Sequence, residues 1–177
     1  GDPNTSPAYQ QAMEILYGLS FTVKMSRMSG EEPAGYFDYV VPPLEGLWWT
    51  DDPGFDGKPP ADKNDFRWTS LIRQPDFVTE DIFGWALERL AKKKPELDLS
   101  KARFLRWEEG LCAHLLHIGP YDEEPASIDK LSAFTEKEGY SVDFSETRRH
   151  HEIYLGDPRR TAPEKLKTVI RHPVKKA

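Results

Sequence analysis

The sequence predicts an α+β fold: duplicated β-α-β-β modules forming a mostly antiparallel sheet, with helices on one side and a ligand cleft between the two copies. The first observation behind this is an internal repeat. Residues 1–8 read GDPNTSPA and residues 119–126 read GPYDEEPA, in each case a Gly, five residues and then Pro-Ala. The second is its echo downstream, where SLIRQP (70–75) returns as TVIRHP (168–173) in the same order. The first pair is offset by 118 residues and the second by 98, so the first copy carries 20 extra residues. Thirdly, helical periodicity after each Pro-Ala gives way to short β-branched and aromatic runs. Like modules face each other across a pseudo-twofold axis, and a cleft on that axis is the first place to look for function.

The elements follow in order. Ser6 before Pro7 reads as an N-cap with Pro at the first helical position. Tyr9, Met13, Leu16, Ser20 and Val23 then recur at helical spacing to about residue 26, although Gly18 leaves Leu19–Met25 open as a strand. Tyr36–Val41 reads as a strand stopped by Pro42-Pro43, and Glu45–Thr50 as another. Asp51–Asn64 (DDPGFDGKPPADKN) has no periodicity and is rich in Pro, Gly and Asp, so it is a surface loop and holds the insertion. Phe66–Gln74 is a strand. Thr79 caps a second helix to about Lys93, with Ile82, Phe83, Leu87 and Leu90 on one face and acidic residues in its first turn.

Beyond Pro95, Ala102–Trp107 and Leu111–Ile118 suggest a hairpin through Glu108–Gly110. Pro125 opens the helix of the second copy, with Ile128, Leu131 and Phe134 inward and closure near Gly139. Strands at about 149–155 and 166–173 complete it. The chain thus reads as a single domain over 1–177, with a first copy of about 1–75, a linking helix and hairpin of about 76–110 and a second copy of about 111–174. Because an apolar strand precedes Gly119, the repeat also predicts a strand of about five to eight residues ahead of Gly1.

Composition narrows the function classes. Apolar content of 38% with 31% charged residues is that of a globular domain. No apolar run approaches the roughly 20 residues needed to span a bilayer, so no membrane partner is expected. The net charge of −6 argues against nucleic acid. The cations of Lys92–Lys94 complement a helix C-terminus instead. One cysteine, Cys112, precludes an internal disulfide and fits a reducing, cytoplasmic setting. Its apolar neighbours make it a packing residue.

Several familiar sites are missing: no GxSxG elbow, no phosphate-binding Gly loop, no paired Cys. His114 and His117 alternate faces on a strand, as do His150 and His151, so neither pair ligates a metal together and no metal or cofactor is expected. Two groups remain. Tyr36, Phe37, Tyr39, Trp48 and Trp49 can wall a site for a planar ligand, although for each taken singly core packing is the commoner role. Adjacent Trp48 and Trp49 must point to opposite faces of their strand. In EIYL, period two puts Glu152 and Tyr154 on one face and Ile153 and Leu155 on the other. If the apolar pair faces the helices, Glu152 faces the cleft, where desolvation would raise its pKa for acid/base work. A solvated edge-strand Glu is the plainer alternative.

GYFDY (35–39), PLEG (43–46), IRQPDF (72–77), LHIGPYDEEPAS (116–127) and EIYLGDPRRTAPEKLKTVIR (152–171) together resemble the GyrI-like small-molecule-binding proteins. The resemblance runs from Gly1 to about Pro173 and implies a ligand cleft between duplicated modules. In related multidrug-sensing regulators a Glu in the strand matching EIYL meets cationic aromatic ligands, which implies Glu152 here. Similarity is greatest to the stand-alone cyclopropanoid cyclopropyl hydrolases, which open the strained ring of DNA-alkylating natural products such as yatakemycin and CC-1065 within an aromatic cage, giving cellular protection. That resemblance implies Glu152 and Tyr154 as catalytic residues, and Tyr36, Phe37, Tyr39, Trp48, Trp49 and Tyr121 as ligand-binding ones. A hydrophobic aromatic small molecule is the expected partner. A module that only sequesters or senses drugs would need the same residues. A third possibility, a protein-binding inhibitor as in the wider family, has only the loop 51–64 as a candidate surface.

Overall fold

A computed structural model describes residues 1–177 as three α-helices and six strands. The chain packs as two units: one comprises Gly1–Pro3, Leu44–Ser70 and Trp107–Ala177, the other Asn4–Pro43 and Leu71–Arg106. No helix is long and apolar enough to cross a membrane.

The sheet belongs to the first unit except for Leu71 and Ile72 at the end of its second strand. Its strands are β1 (Leu44–Trp49), β2 (Arg67–Ile72), β3 (Cys112–Ile118), β4 (Tyr140–Val142), β5 (His150–Tyr154) and β6 (Lys167–Lys176). Their order is β2-β1-β5-β6-β3, with the short β4 paired to the far end of β6. Pairings β1–β5, β5–β6, β3–β6 and β4–β6 are all antiparallel. The fold is therefore α+β with a mostly antiparallel sheet. Neighbours β1 and β2 of the first copy answer neighbours β5 and β6 of the second, and the copies meet where β1 pairs β5.

Helix α3 (Glu124–Lys137) covers one face of this sheet. Ile128 and Leu131 pack on Ile170 of β6, with Ala113 and Leu115 of β3 beside them. Phe134, expected inward, is 53% exposed; a helical turn carries 3.6 residues, and the buried face here runs through Ile128, Leu131 and Thr135 instead. Strand β4 is a further departure, since Gly139, at φ +81°, turns the chain straight into it.

In the second unit, α1 (Pro7–Lys24) and α2 (Glu80–Lys93) pack on each other. Ser6 Oγ accepts from the Tyr9 N–H and Thr79 Oγ1 from the Ile82 N–H, as their sequence positions predict. The buried set is Ile15, Leu19, Val23, Val78, Ala86 and Leu90, with Ile82, Phe83 and Leu87 against it. The inward face of α1 thus runs through Ile15 and Leu19 rather than Tyr9, Met13 and Leu16, and the helix continues through Gly18. A methyl at Gly18 would lie 3.0 Å from Leu90 Cδ1, so its smallness brings the helices close. Two expected strands are absent. Tyr36–Val41 and Ala102–Trp107 pair with no strand. Tyr36, Phe37 and Tyr39 contact Phe77, and Phe104 stacks on Phe83, so these aromatics pack as side chains without a ladder.

Ile170 is fully buried on β6 between β5 and β3. Replacing it by Ala should cost about 2–5 kcal/mol, read as a lower denaturant midpoint with an unchanged slope. A loss below about 1 kcal/mol would mean that this cluster does not hold the sheet to α3.

Candidate functional site

The site grows from register. In β5–β6, Glu152 is opposite Ile170 and Tyr154 opposite Thr168; in β1–β5, Trp48 is opposite His150 and Gly46 opposite Glu152. Partners across an antiparallel pair share a face. Since Ile170 packs on α3, so do Glu152, Tyr154, His150, His172 and Trp48 lie on the α3 side. The expectation that Ile153 and Leu155 take the helix face is reversed: Leu155 is exposed and Ile153 only partly buried. A charged residue can occupy the covered face because polar partners meet it there.

Those partners form a chain. Glu152 Oε1 is 3.0 Å from His150 Nε2, and His150 Nδ1 is 2.7 Å from His172 Nε2. Tyr154 donates its hydroxyl to Glu152 Oε2 at 2.6 Å, and Trp48 Nε1–H donates to the Tyr154 oxygen at 2.9 Å. Gly46 is required beside this bond, because a Cβ there would come within 2.5 Å of Trp48 Nε1. Tyr121 meets Tyr154 edge-on, with ring centres 5.9 Å apart.

Glu124, the first residue of α3, was missed by sequence reasoning, and it is 4% exposed with Oε1 unpartnered. Burial first, then the negative charge of Glu152, push its pKa up to about 10, so it keeps its proton at neutral pH. Glu152 goes the other way. Burial alone would raise it, but the hydrogen bond from His150, a proton shared from Glu124 and the Tyr154 hydroxyl outweigh burial and hold it below the usual carboxylate range. The expected raised carboxyl is therefore Glu124, and Glu152 is the ionised partner. Burial acts on both, and the donors that meet Glu152 alone push the two pKa values apart. The signal for Glu124 in the sequence was its place in the repeated Gly-to-Pro-Ala motif.

The remaining predicted residues lie elsewhere. Trp49 points to the opposite face from Trp48, as alternation requires, and stacks under the Arg149 guanidinium at 4.5 Å. Tyr36, Phe37 and Tyr39 belong to the second unit, where all three rings contact Phe77. Tyr36 donates to the Lys24 carbonyl at 2.8 Å, whereas Phe37 is 54% exposed. The Tyr39 hydroxyl is buried without a partner, and burial pushes its pKa up to about 12.

A GyrI-like small-molecule-binding domain model matches residues 1–175, and the chain belongs to that family. Among solved structures, a hydrolase from Listeria innocua is 44% identical, with a TM-score of 0.86 over 99% of this chain and 83% of its own. An uncharacterized conserved protein from the same organism is 45% identical, with a TM-score of 0.89 over the same shares. Another Listeria innocua hydrolase structure is 45% identical, with a TM-score of 0.86 and again 99% and 83% coverage. No curated protein matches.

The other sheet face carries a separate charge network. His151, buried beside Glu152 in sequence, lies between Glu109 Oε2 at 2.5 Å from Nδ1 and Glu45 Oε1 at 2.8 Å from Nε2. Arg171 also reaches Glu109, at 3.2 Å, and the Trp107 ring packs on the imidazole. Burial opposes the charge on His151, but the hydrogen bonds and charges of the two carboxylates prevail and raise its pKa above 6.5. A raised His pKa contributes stability that is full below the unfolded value and is lost as pH climbs through the folded one. The midpoint of urea unfolding should therefore fall on raising the pH from about 6.5, and His151→Gln should flatten the dependence in that window. An unchanged slope in the variant would assign the effect to other groups.

Proposed function

We propose that this protein binds planar hydrophobic molecules and hydrolyses a strained cyclopropane of the spirocyclopropyl dienone class, protecting a cell from alkylating natural products. The observation that carries this reading is the pairing of an ionised Glu152 with a protonated Glu124 beside the aromatic side chains Trp48, Tyr154 and Tyr121. One carboxyl accepts a proton and the other supplies one, which ring opening by water requires. The two hydrolase structures from Listeria innocua support the reaction class.

In this mechanism a water attacks the ring carbon as Glu152 takes its proton. The cyclopropane C–C bond breaks and its electron pair passes into the dienone, whose carbonyl oxygen becomes a phenolic oxygen. That oxygen takes the Glu124 proton. The proton on Glu152 then returns to Glu124, restoring both. Tyr154, His150 and Glu124 each use one lone pair of Glu152, and a carboxylate has about four, so one is left for water. Tyr154 orients the carboxylate, and Trp48 holds Tyr154. Tyr36, Phe37, Tyr39 and Trp49 enter as ligand-binding residues through the family resemblance, with Phe37 the most available by its exposure.

Glu152→Gln should slow consumption of a spirocyclopropyl dienone at least about 100-fold, while quenching of Trp fluorescence by the same compound persists. Equal turnover by the variant and the unaltered protein would overturn the catalytic role. Saturable quenching with no turnover by either would leave a binding protein.

A further inference from the structure

Behind Glu152 stands a pair of histidines whose protons the geometry determines. His150 and His172 are 2% and 0% exposed, with ring centres 4.9 Å apart. Glu152 Oε1 accepts only, so the His150 Nε2 facing it at 3.0 Å must carry hydrogen. A His150 that carries this one proton has a bare Nδ1, and the 2.7 Å contact to His172 then requires the hydrogen on His172 Nε2. His172 Nδ1 is left as a lone pair, which agrees with its having no hydrogen-bond donor near it. The reverse arrangement with neutral rings fails. It would aim the His150 Nε2 lone pair at a carboxylate and bury an unpaired N–H at His172, two unfavourable contacts that nothing nearby offsets.

The insertion in the first copy seals this pair. Gly57, buried at φ +96°, lies so close that a Cβ would stand 2.7 Å from His172 Nε2 and 2.8 Å from His150 Nδ1. Phe55 packs edge-on to His150 and Phe144 to His172, at 6.3 and 5.0 Å between ring centres. Lys58 ties the same loop to Asp129 of α3 at 2.6 Å. The loop and the two phenylalanine rings thereby close in on the His150–His172 contact.

We propose that His150 and His172 form a tautomer lock, in which His172 fixes the proton of His150 on Nε2 and His150 thereby holds Glu152 as an oriented carboxylate. The proposal rests on the reading of Glu152 as the base. His172 touches neither substrate nor the reacting atoms; it is a positioning residue acting through His150. The titratable groups facing this chain are Glu124 from α3, Tyr154 from β5 and His172 from β6. The elements β1 and the loop add only Trp48, Phe55 and Gly57.

Two experiments on the full chain test it. Nitrogen-15 NMR of the unaltered protein at neutral pH should show both histidines as neutral Nε2–H tautomers. His150 found as Nδ1–H, or doubly protonated, overturns the lock whatever the substrate proves to be. In kinetics with a spirocyclopropyl dienone, His172→Leu should lower kcat about 10- to 100-fold at constant KM, with the acid limb of the pH profile moved upward. His172→Gln, which puts an N–H donor back near the Nε2 position, should recover most of the rate and the original limb. Equal losses in the Leu and Gln variants would reduce His172 to packing. Should Glu152→Gln turn over substrate normally, the base assignment fails, and the NMR result still decides the tautomers.

Discussion

Much of this protein is arranged around one buried negative charge. Glu152 is 8% exposed, and an ionised carboxylate out of water costs far more than its packing returns unless each oxygen is met by a donor. Three strands, with Glu124 of α3, satisfy that requirement. Tyr154 comes from its own strand, His150 from two residues before it, His172 from β6 behind His150, and Trp48 from β1 behind Tyr154. The loop contributes no donor but closes the pair from water with Phe55 and Gly57. A chain of hydrogen bonds in a low dielectric polarises along its length, so each link strengthens the next.

The same strand runs a second, independent network on its other face. His151 is held by Glu45 and Glu109, and Arg171 joins them, so consecutive residues 150–152 serve opposite sides of the sheet. The two histidines differ in kind. The hydrogen bonds and charges of two carboxylates raise the pKa of His151, whereas burial pushes that of His172 down to about 3 and keeps it neutral. Identical side chains on opposite faces of the sheet are thus shifted in opposite directions, because the faces have different partners. Cys112 belongs to the charged side. Burial first, with Glu109 against it, raises its thiol to about 11, which makes it inert as a nucleophile.

The duplication explains how such an asymmetric site arises on a symmetric scaffold. Both copies place two neighbouring strands in the sheet, and they meet at the β1–β5 pairing. There the first copy supplies Trp48 and the second supplies His150, Glu152 and Tyr154. The insertion in the first copy adds Phe55 and Gly57 over residues of the second. The halves have taken different chemical parts while keeping the pairing that joins them.

By itself the sequence determined the α+β class, the helix starts at Ser6 and Thr79, the repeat, the opposed faces of Trp48 and Trp49, and the pairing of Glu152 with Tyr154 on one face. These follow from local rules: capping, Pro placement and period two. Tertiary structure decided which face was covered, and therefore that Glu152 lies against α3. It brought Glu124, His150 and His172 to Glu152 from positions 28 and 2 residues before it and 20 after it. It also left Tyr36–Val41 unpaired and turned a loop of surface composition into the seal of a buried pair. None of this was legible in the residues, because a pKa and a tautomer are set by neighbours across strands, and one sequence records only neighbours along the chain. The motifs located the carboxylate; only the packing around it lowers the pKa of Glu152 and raises that of Glu124.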